Sequence, residues 1–553
     1  MFEELRAIQR DFGYLPADQL KTLAANIHVP VSQIHAVASF YPHFHLSPPP
    51  RVDVRVCADM SCHLRGGDQV RSALDSAFQG ADSKEVSIRD VSCLGRCDHA
   101  PAIMVNDNIY SQVNSRDAVT MTQDVLAGRP LPEKRHAERM VVTSDPYGGS
   151  GQYAVVRRLL ETGNWQGILA ALKAAGLRGM GGAGFPTSSK WELVRNAPGS
   201  TKYIVCNADE SEPGTIKDRG IMESVPYLVI EGMITAGLVT GARQGILYIR
   251  HEYENPKEIL QKEIDRCYQQ GLLGSRILGS DFAFDLEIFV SPGGYICGEE
   301  SALLEAIEGK RAEPRNKPPF PVTNGLWNQP TVINNVETFC LATVILARGA
   351  DWYKAQGKNG SVGMKFVGIS GDVNRPGIFE VPMGTTYDEL IHENAGGISG
   401  GGKLLAFAPS GPSSGYLPAS MASLRLDWNA VAAAGSMVGS GAIVVCAEGR
   451  CMLDMALNAT RFYRNESCGK CVPCRVGSQK LVEMLKGWTT GESSKDDMQV
   501  MGELSTAMRQ ASICGLGQVV PVPIASVMKH FPGTVEEHIV ERRCPGGVCF
   551  SQS

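Results

Sequence analysis

Two groups of cysteines in this sequence have the spacing of metal ligands. Thiolates on short loops bind structural zinc or iron–sulfur clusters, so the metal that each group holds decides the chemistry of the protein. The first group is Cys57, Cys62, Cys93 and Cys97, and the second is Cys468, Cys471, Cys474 and Cys514.

The first group consists of two pairs, and each pair lies on a loop after a predicted strand. Four residues separate Cys57 from Cys62 and three separate Cys93 from Cys97, intervals at or beyond the loose end of the range that zinc knuckles use. A wider loop suits a two-iron cluster, in which each pair holds one iron. We therefore predict a [2Fe–2S] cluster, with zinc or a site without metal as the alternatives.

The second group has a different pattern, three cysteines close together and one far away. Cys468, Cys471 and Cys474 are separated by two residues each, and Cys514 follows forty residues later. Three thiolates on one turn and a remote fourth suit the corners of a [4Fe–4S] cluster, whereas zinc would favour two pairs. The sequence therefore predicts two one-electron carriers.

The composition of the chain restricts the cell compartment in which the protein works and the partners that it can bind. The 553 residues are 43% hydrophobic and carry a formal net charge of -5, which gives no basic field for nucleic acid or for an anionic membrane surface. We find no run of about 18 apolar residues that would predict a membrane span and no apolar stretch typical of a secretory signal at the N-terminus. We therefore expect a cytoplasmic protein, where sixteen cysteines are metal ligands or buried residues in preference to disulfides.

Hydrophobic periodicity divides the chain into five segments of an α/β multidomain protein. Helical spacing interrupted by Gly13, Pro16 and Pro30 predicts a small bundle at the N-terminus, and residues 135–152 have the composition of a linker. The predicted segments are 1–46 (helical bundle), 51–134 (α/β), 153–338 (larger α/β), 362–436 (β-rich) and 440–553 (helical).

A glycine-rich stretch in the larger α/β segment predicts a nucleotide or flavin site. Gly179, Gly181 and Gly184 have the G-x-G-x-x-G spacing, but they follow a predicted helix, where a Rossmann turn would follow a strand. Glycines still allow a flat or phosphorylated ligand to approach the backbone closely.

Several long motifs together resemble one known family. The stretches GLRGMGGAGFPTSSKW, CNADESEPGTIKDR, YICGEESALLEAIEGKRAEPRNKPPFP, NNVETF and ESCGKCVPCR resemble the NADH- and FMN-binding subunit of respiratory NADH dehydrogenase. The N-terminal part, with FGYLP, ASFY and the first cysteine group, resembles the small two-iron subunit of that enzyme. The fused arrangement is similar to the diaphorase subunits of NAD-linked formate dehydrogenases and NAD-reducing hydrogenases.

The resemblance implies a fold for each segment. Residues 51–134 would form a thioredoxin-like [2Fe–2S] ferredoxin domain and 153–338 a Rossmann-like FMN/NADH domain. Residues 362–436 would form a β-grasp (ubiquitin-like) domain, and 440–553 a helical domain with the [4Fe–4S] cluster and a Cys/His tail.

The resemblance also implies residue roles. The FMN would be lined by Gly179, Gly181, Gly182, Gly184, Lys190, Asn207, Asp209, Glu210, Gly298, Asn334 and Asn335. The NADH side would be formed by Phe185, Glu212, Tyr295, Glu299, Glu300, Lys317 and Phe320. Met180 stands where many relatives carry arginine, so we expect Met180→Arg to leave flavin binding unchanged or to strengthen it. No catalytic side chain is expected, because FMN itself accepts the hydride.

The implied function is electron transfer between NAD(H) and a partner subunit. The hydride passes between NAD(H) and FMN, and single electrons pass through the iron–sulfur clusters to or from a catalytic subunit. A molybdenum or tungsten formate dehydrogenase subunit is the expected partner. The alternative is the diaphorase subunit of an NAD-reducing or electron-bifurcating hydrogenase, and bifurcation would require ferredoxin as a second acceptor.

A third group of potential ligands is formed near the C-terminus. It consists of Cys451, His538, Cys544 and Cys549. Three thiolates and one imidazole satisfy tetrahedral zinc and would fasten the tail to the cluster domain. Free thiols on a frayed end are the alternative, and Cys446 is a substitute for Cys451 in the ligand set.

Overall fold

The computed structural model describes residues 1–133, 139–494 and 496–550. Part of the expected linker 135–152, position 134 at the end of the second segment and positions 551–553 at the end of the last segment lie outside the described residues. One hydrophobic core joins the N-terminal helices, part of the larger α/β segment and the C-terminal helices.

The N-terminal segment is a bundle of three short helices, as predicted. Gly13, with φ of 77°, ends the first helix, and Pro16 and Pro30 precede the next two. The bundle packs on the larger α/β segment, where the Tyr41 hydroxyl donates to the Lys310 carbonyl oxygen at 2.6 Å. The helices are α1 (Phe2–Phe12), α2 (Ala17–Asn26) and α3 (Val31–Phe40).

The first α/β segment is a four-stranded mixed sheet of order β2-β1-β3-β4. Strand β1 runs parallel to β2 and antiparallel to β3. Its elements are β1 (Val52–Cys57), α4 (Met60–Leu64), α5 (Gly67–Ala77), β2 (Val86–Val91), β3 (Ala102–Val105), β4 (Asn108–Ser111) and α6 (Ser115–Leu126).

The larger α/β segment has a parallel sheet of order β7-β6-β5-β8 with helices on its faces. The central strands β5 and β6 are buried over most of their length, as expected when both faces of a sheet are covered, whereas the edge strand β7 is partly exposed. Its strands are β5 (Tyr203–Ala208), β6 (Gln244–Ile249), β7 (Asp285–Val290) and β8 (Thr331–Asn335). Its helices are α7 (Ala154–Thr162), α8 (Trp165–Ala175), α9 (Thr187–Asn196), α10 (Lys217–Ser224), α11 (Pro226–Thr240), α12 (Glu254–Gln269), α13 (Glu300–Ile307), α14 (Pro321–Asn324), α15 (Val336–Arg348) and α16 (Ala350–Ala355).

The β-rich segment is longer than the sequence predicted. Its sheet has the order β10-β9-β13-β11-β12, and the last strand lies in the centre, parallel to β9. The predicted boundary between 436 and 440 is therefore wrong, because the central strand comes from residues assigned to the helical segment. The elements are β9 (Met364–Gly371), β10 (Gly377–Pro382), α17 (Tyr387–Glu389), β11 (Leu404–Pro412), β12 (Leu417–Pro418), α18 (Trp428–Ala433) and β13 (Ala442–Ala447).

The C-terminal segment is helical from the residue after Cys451. Its first helix packs against α20 and α23, and the described tail returns to its N-terminus. The helices are α19 (Met452–Glu466), α20 (Val472–Thr490), α21 (Asp497–Ala511), α22 (Gly515–Val519), α23 (Val522–His530) and α24 (Pro532–Glu536), followed by a π-helical turn, Glu537–Glu541.

Membrane-spanning potential was assessed over the described ranges. No single helix there is long and apolar enough to cross a membrane, whereas α10 and α11 pass by length and composition only as a pair bent by 94°.

Candidate functional site

The first cysteine group converges at one edge of the small sheet. Strands β1 and β2 are parallel neighbours that end in register, Cys57 opposite Val91, so the loops that follow them meet. All four thiols are buried, and Cys93 Sγ lies 3.4 Å from Cys97 Sγ. The amide of Gly95 donates to Cys93 Sγ at 3.4 Å. This geometry fits cluster-binding thiolates, whose charge is stabilised by backbone N–H groups.

The larger α/β segment completes this site from the other side. The Gly214 amide donates to Cys97 Sγ at 3.2 Å, and Arg219 Nη1 donates to the Gly95 carbonyl oxygen at 2.6 Å. Hydrogen bonds from the Cys57 and Cys97 thiols hold the pKa of Cys93 well below its usual value, and the Arg250 guanidinium acts in the same direction. The surroundings therefore favour the thiolate form of Cys93, whereas hydrogen bonds to neighbouring cysteines raise the pKa values of Cys57 and Cys97.

The second cysteine group lies where three helices of the C-terminal segment end or begin. Cys468 lies in the connection into α20, Cys471 is the N-cap of that helix, and Cys474 lies in its first turn. Cys514 is the N-cap of α22. Burial raises the pKa of Cys474 to about 12, and the charges of the other three thiols add to this shift, so the four side chains are electrostatic neighbours. A Cβ on Gly517 would lie 2.9 Å from Cys474 Cβ, which explains the glycine beside this ligand.

The two cysteine groups differ in exposure. The four thiols of the first group are buried, whereas Cys468, Cys471 and Cys514 are partly exposed. Val472 and Ile513, which adjoin these ligands, are exposed apolar residues. The second group therefore reaches the protein surface and the first does not.

The glycine loop forms a cradle over the end of strand β8. The Gly179 amide donates to the Phe185 carbonyl oxygen at 2.8 Å, and Gly182 and Gly184 have φ of 131° and 65°. A Cβ on Gly181 would lie 3.0 Å from Asn335 Cβ. Positive φ and close approach both require glycine here. The loop connects α8 to α9, as the sequence indicated when it excluded an ordinary Rossmann turn.

Several predicted FMN contacts gather at the ends of β5 and β8. Asn207 Nδ2 donates to the Gly298 carbonyl oxygen at 2.8 Å, and Lys190 Nζ donates to that of Ile333 at 2.8 Å. Burial raises the pKa of Asp209 to about 7. Carboxyl ends of adjacent parallel strands are the usual position of nucleotide sites.

Three of the predicted FMN contacts have side chains engaged within the fold. Glu210 accepts hydrogen bonds from the amides of Asp218 and Arg219, at 2.8 and 3.0 Å, and from Tyr253. Its side chain therefore caps the first turn of α10, and its contact with FMN stays a prediction.

The two asparagines are engaged in a similar way. Asn334 Oδ1 accepts from Trp191 Nε1 at 2.9 Å, and Asn335 Nδ2 donates to Asp218 Oδ2 at 2.6 Å. Their side chains shape the floor of the cradle from within.

The predicted NADH contacts form an open face next to the cradle. Phe185 and Phe320 are 46% and 53% exposed, as rings that could receive a flat ligand must be. Lys317 Nζ lies 2.9 Å from Glu299 Oε1 and 2.6 Å from Glu300 Oε1. Glu299 also caps α13, since its side chain accepts from the Ser301 and Ala302 amides.

Two further predicted residues lie deeper at this face. Burial raises the pKa of Glu212 to about 7, and its carboxylate accepts from the Ser413 amide at 3.1 Å. Tyr295 packs on Phe462 of α19 with ring centroids 5.1 Å apart.

Sequence reasoning missed two residues that the structure places at this site. Trp428 of α18 lies against the cradle, 3.4 Å from where a Cβ on Gly184 would stand. Glu466 accepts a hydrogen bond from the Tyr295 amide at 2.6 Å. Trp428 belongs to none of the motifs quoted above. Glu466 is the first residue of ESCGKCVPCR, but only the cysteines of that motif were given a role.

The third ligand group is assembled as the sequence predicted. The ligand atoms of Cys451, His538, Cys544 and Cys549 all lie within 4.8 Å of one another. His538 Nε2 is 3.4 Å from Cys451 Sγ, and His538 Nδ1 lies 2.7 Å from the Thr534 carbonyl oxygen. A metal-binding histidine typically donates its other N–H to such a carbonyl. Cys446 lies in strand β13, outside this group.

Two groups of four cysteines together with a glycine cradle are typical of an iron–sulfur flavoprotein, and known families agree. Residues 1–125 match the thioredoxin-like [2Fe-2S] ferredoxin family and 172–343 the Nuo51 FMN-binding domain. Residues 366–416 match the SLBB domain, and 454–538 the NADH-ubiquinone oxidoreductase-F iron-sulfur binding region.

Individual relatives extend over most of the chain. An NADH-quinone oxidoreductase subunit of Rhizobium meliloti is 42% identical over 72% of this chain and 95% of its own. The alpha subunit of NAD-reducing hydrogenase HoxS of Cupriavidus necator is 33% identical over 97% of this chain and 92% of its own. A crystal structure of NAD+-reducing [NiFe]-hydrogenase in the H2-reduced state superposes with a TM-score of 0.87 and 32% identity, over 97% of this chain and 93% of that one.

The chain belongs to the family that contains this NADH-quinone oxidoreductase subunit and the alpha subunit of the NAD-reducing hydrogenase. It is a diaphorase-type NADH oxidoreductase with FMN, a [2Fe–2S] cluster and a [4Fe–4S] cluster. The predicted multidomain fold, enzyme class and cofactors are therefore confirmed.

Proposed function

We propose that this protein exchanges electrons between NAD(H) and a separate catalytic subunit, a molybdenum or tungsten formate dehydrogenase. When bound, FMN supplies the conversion between a hydride and single electrons. The observation that carries the proposal is the exposure of the second cysteine group, which gives electrons a route to another protein. The similarity extends over 97% of this chain to the alpha subunit of NAD-reducing hydrogenase HoxS, which supports a role as one subunit of a multi-subunit enzyme.

The residues of the open face would bind and orient the dinucleotide. Phe185 and Phe320 offer apolar faces for the rings, and Lys317 offers a cation for a phosphate once it leaves Glu299 and Glu300. Correct positioning of the hydride donor accounts for much of the rate in such a transfer. The glycines of the cradle allow the flavin to approach the backbone.

A hydrogenase is the second candidate for the partner, and the similarity to HoxS favours it. The experiment is to purify the complex from its native source and to assay NAD+ reduction with formate and with H2. NAD+ reduction with formate by a complex that contains molybdenum or tungsten supports the proposal. NAD+ reduction with H2 by a complex that contains only nickel or iron identifies the partner as a hydrogenase instead. A requirement for ferredoxin in either assay would identify electron bifurcation.

A cytoplasmic location is part of the proposal. None of the sixteen cysteines, all of which lie in the described ranges, forms a disulfide, which is typical of a reducing compartment. Fractionation of the native cells, with NADH–viologen activity as the marker, tests the location.

We also propose that Cys451, His538, Cys544 and Cys549 bind one Zn²⁺. The hydrogen bond between Cys451 and Cys549 lowers the pKa of Cys451 to about 5 and raises that of Cys549, so of these two thiols Cys451 is the one whose thiolate form is favoured. Three thiolates and one imidazole form a complete tetrahedral set that leaves no position for a substrate. The site would therefore be structural, and it would fasten the tail to the N-terminus of α19.

Metal analysis tests the zinc proposal. We expect about one zinc per chain beyond the iron, and its loss in the double variant Cys544→Ser/Cys549→Ser. Cys446→Ala is the matched control, because this thiol is buried nearby but lies outside the group. Zinc that survives the double substitution, or a purified chain that contains iron alone, would exclude the site.

A further inference from the structure

One carboxylate contacts loops that belong to all three centres. Glu466 is the last residue of α19 and lies two positions before Cys468. One of its oxygens accepts a hydrogen bond from the hydroxyl of Ser92, which precedes Cys93, and the other accepts from the Tyr295 amide at 2.6 Å. The [2Fe–2S] loop, the dinucleotide face and the [4Fe–4S] loop thus meet at a single side chain.

The helix that carries Glu466 is fixed on the [2Fe–2S] domain along its length. Asn458 accepts from the Met60 amide at 2.8 Å and donates to the Ala58 carbonyl oxygen at 2.7 Å. One turn earlier, Asp454 Oδ2 lies 2.6 Å from His63 Nε2. These contacts fix the first half of α19 on the [2Fe–2S] domain, and the hydrogen bonds of Glu466 itself fix its C-terminal end.

The charge of Glu466 has no cation in contact with it. Within residues 1–133, 139–494 and 496–550, no lysine, arginine or histidine nitrogen forms an ion pair with this carboxylate, and both of its partners are neutral donors. Burial raises the pKa of Glu466, whereas the hydrogen bonds from Ser92 and the Tyr295 amide and the charge of Arg250 act in the opposite direction and stabilise the carboxylate. The ionised carboxylate acts on its neighbours over several ångströms, because screening is weak in a partly buried site.

We propose that Glu466 is a positioning residue that joins the three centres and sets the reduction potentials of both clusters. This inference rests on the proposed electron-transfer function. Each cluster gains a negative charge on reduction, so a nearby carboxylate disfavours the reduced form. Removal of that charge should make both clusters easier to reduce.

Glu466→Gln tests the charge, since glutamine keeps an oxygen for the Tyr295 amide. Redox titrations of the purified full chain, followed by electron paramagnetic resonance, should show both potentials shifted in the positive direction. We expect about a tenfold higher ratio of reduced to oxidised cluster at a fixed potential, or about 59 mV for a one-electron couple. Asp454→Asn is the matched control on the same helix, and it should leave the [4Fe–4S] potential unchanged.

Glu466→Asp separates charge from reach. Aspartate keeps the negative charge, so the reduction potentials of both clusters should stay near their original values. Its shorter side chain cannot accept the hydrogen bond from the Tyr295 amide, so NADH should bind more weakly. A Gln variant in which one or neither potential moves overturns the inference, as does an Asp variant that shifts both potentials as Gln does. A wild-type protein without the two cluster signals would instead contradict the proposed function.

Discussion

Arg250 Nη2 donates to the Cys93 carbonyl oxygen at 2.6 Å, across 157 positions of the chain. Its Nη1 donates to the Glu210 carbonyl oxygen at 2.6 Å, and Glu252 pairs with its Nε at 2.9 Å. One buried guanidinium thus connects the [2Fe–2S] loop to the strand ends that form the flavin site.

Arg250→Gln should therefore destabilise the junction between the two domains. Loss of one partner of a buried ion pair leaves Glu252 uncompensated and costs about 3–5 kcal/mol. We expect a lower thermal midpoint and a smaller [2Fe–2S] signal per chain. Arg276→Gln is the control, because this exposed pair contributes at most about 1 kcal/mol. Equal effects of the two substitutions would contradict the assignment.

Met180→Arg should destabilise the protein, contrary to the expectation from sequence. Met180 is 3% exposed, and its Sδ lies 4.0 Å from Nζ of the fully buried Lys365. A second cation there would be buried beside the first, at a cost of several kcal/mol. We expect loss of flavin and a lower thermal midpoint, whereas Met180→Leu should behave as wild type. A Met180→Arg protein with full flavin content would instead support the expectation from sequence that this substitution does not weaken flavin binding.

Glu212 predicts a pH dependence of stability in the protein without cofactors. Burial raises the pKa of its carboxyl group to about 7, above the value of about 4.3 in an unfolded chain. The native state holds the proton longer, so the contribution of Glu212 is largest at low pH and is lost as the pH rises towards 7. Glu212→Gln should flatten that part of the stability curve in denaturant titrations, and exposed Glu492→Gln should not.

The two clusters should be lost independently of one another. Cys471→Ser should remove the [4Fe–4S] signal and electron transfer to the partner, yet leave flavin reduction by NADH intact, because the hydride step precedes the cluster. Cys93→Ser should remove the [2Fe–2S] signal alone. Paramagnetic resonance and flavin absorbance measure the two effects. A Cys93→Ser protein that retains both iron signals would show that the first cysteine group was misassigned.

The sequence by itself determined the ligand types, because cysteine spacing is local and a loop of a few residues can hold only certain metals. It also predicted the helical bundle at the N-terminus and the larger α/β segment from local periodicity. The Cys451–Cys549 group was predicted by composition, since a histidine and two cysteines in a tail are unusual.

Only the tertiary structure decided which residues meet across the chain. Strand β13 joins the β-rich sheet in its centre, and no local pattern marks such a long-range pairing. The hydrogen bonds from the first-turn amides of α10 to the Glu210 carboxylate are likewise visible only in the tertiary structure. Arg250 and Glu466 gained their roles in the same way, because hydrogen bonds between distant segments depend on packing, which spacing along the chain does not encode.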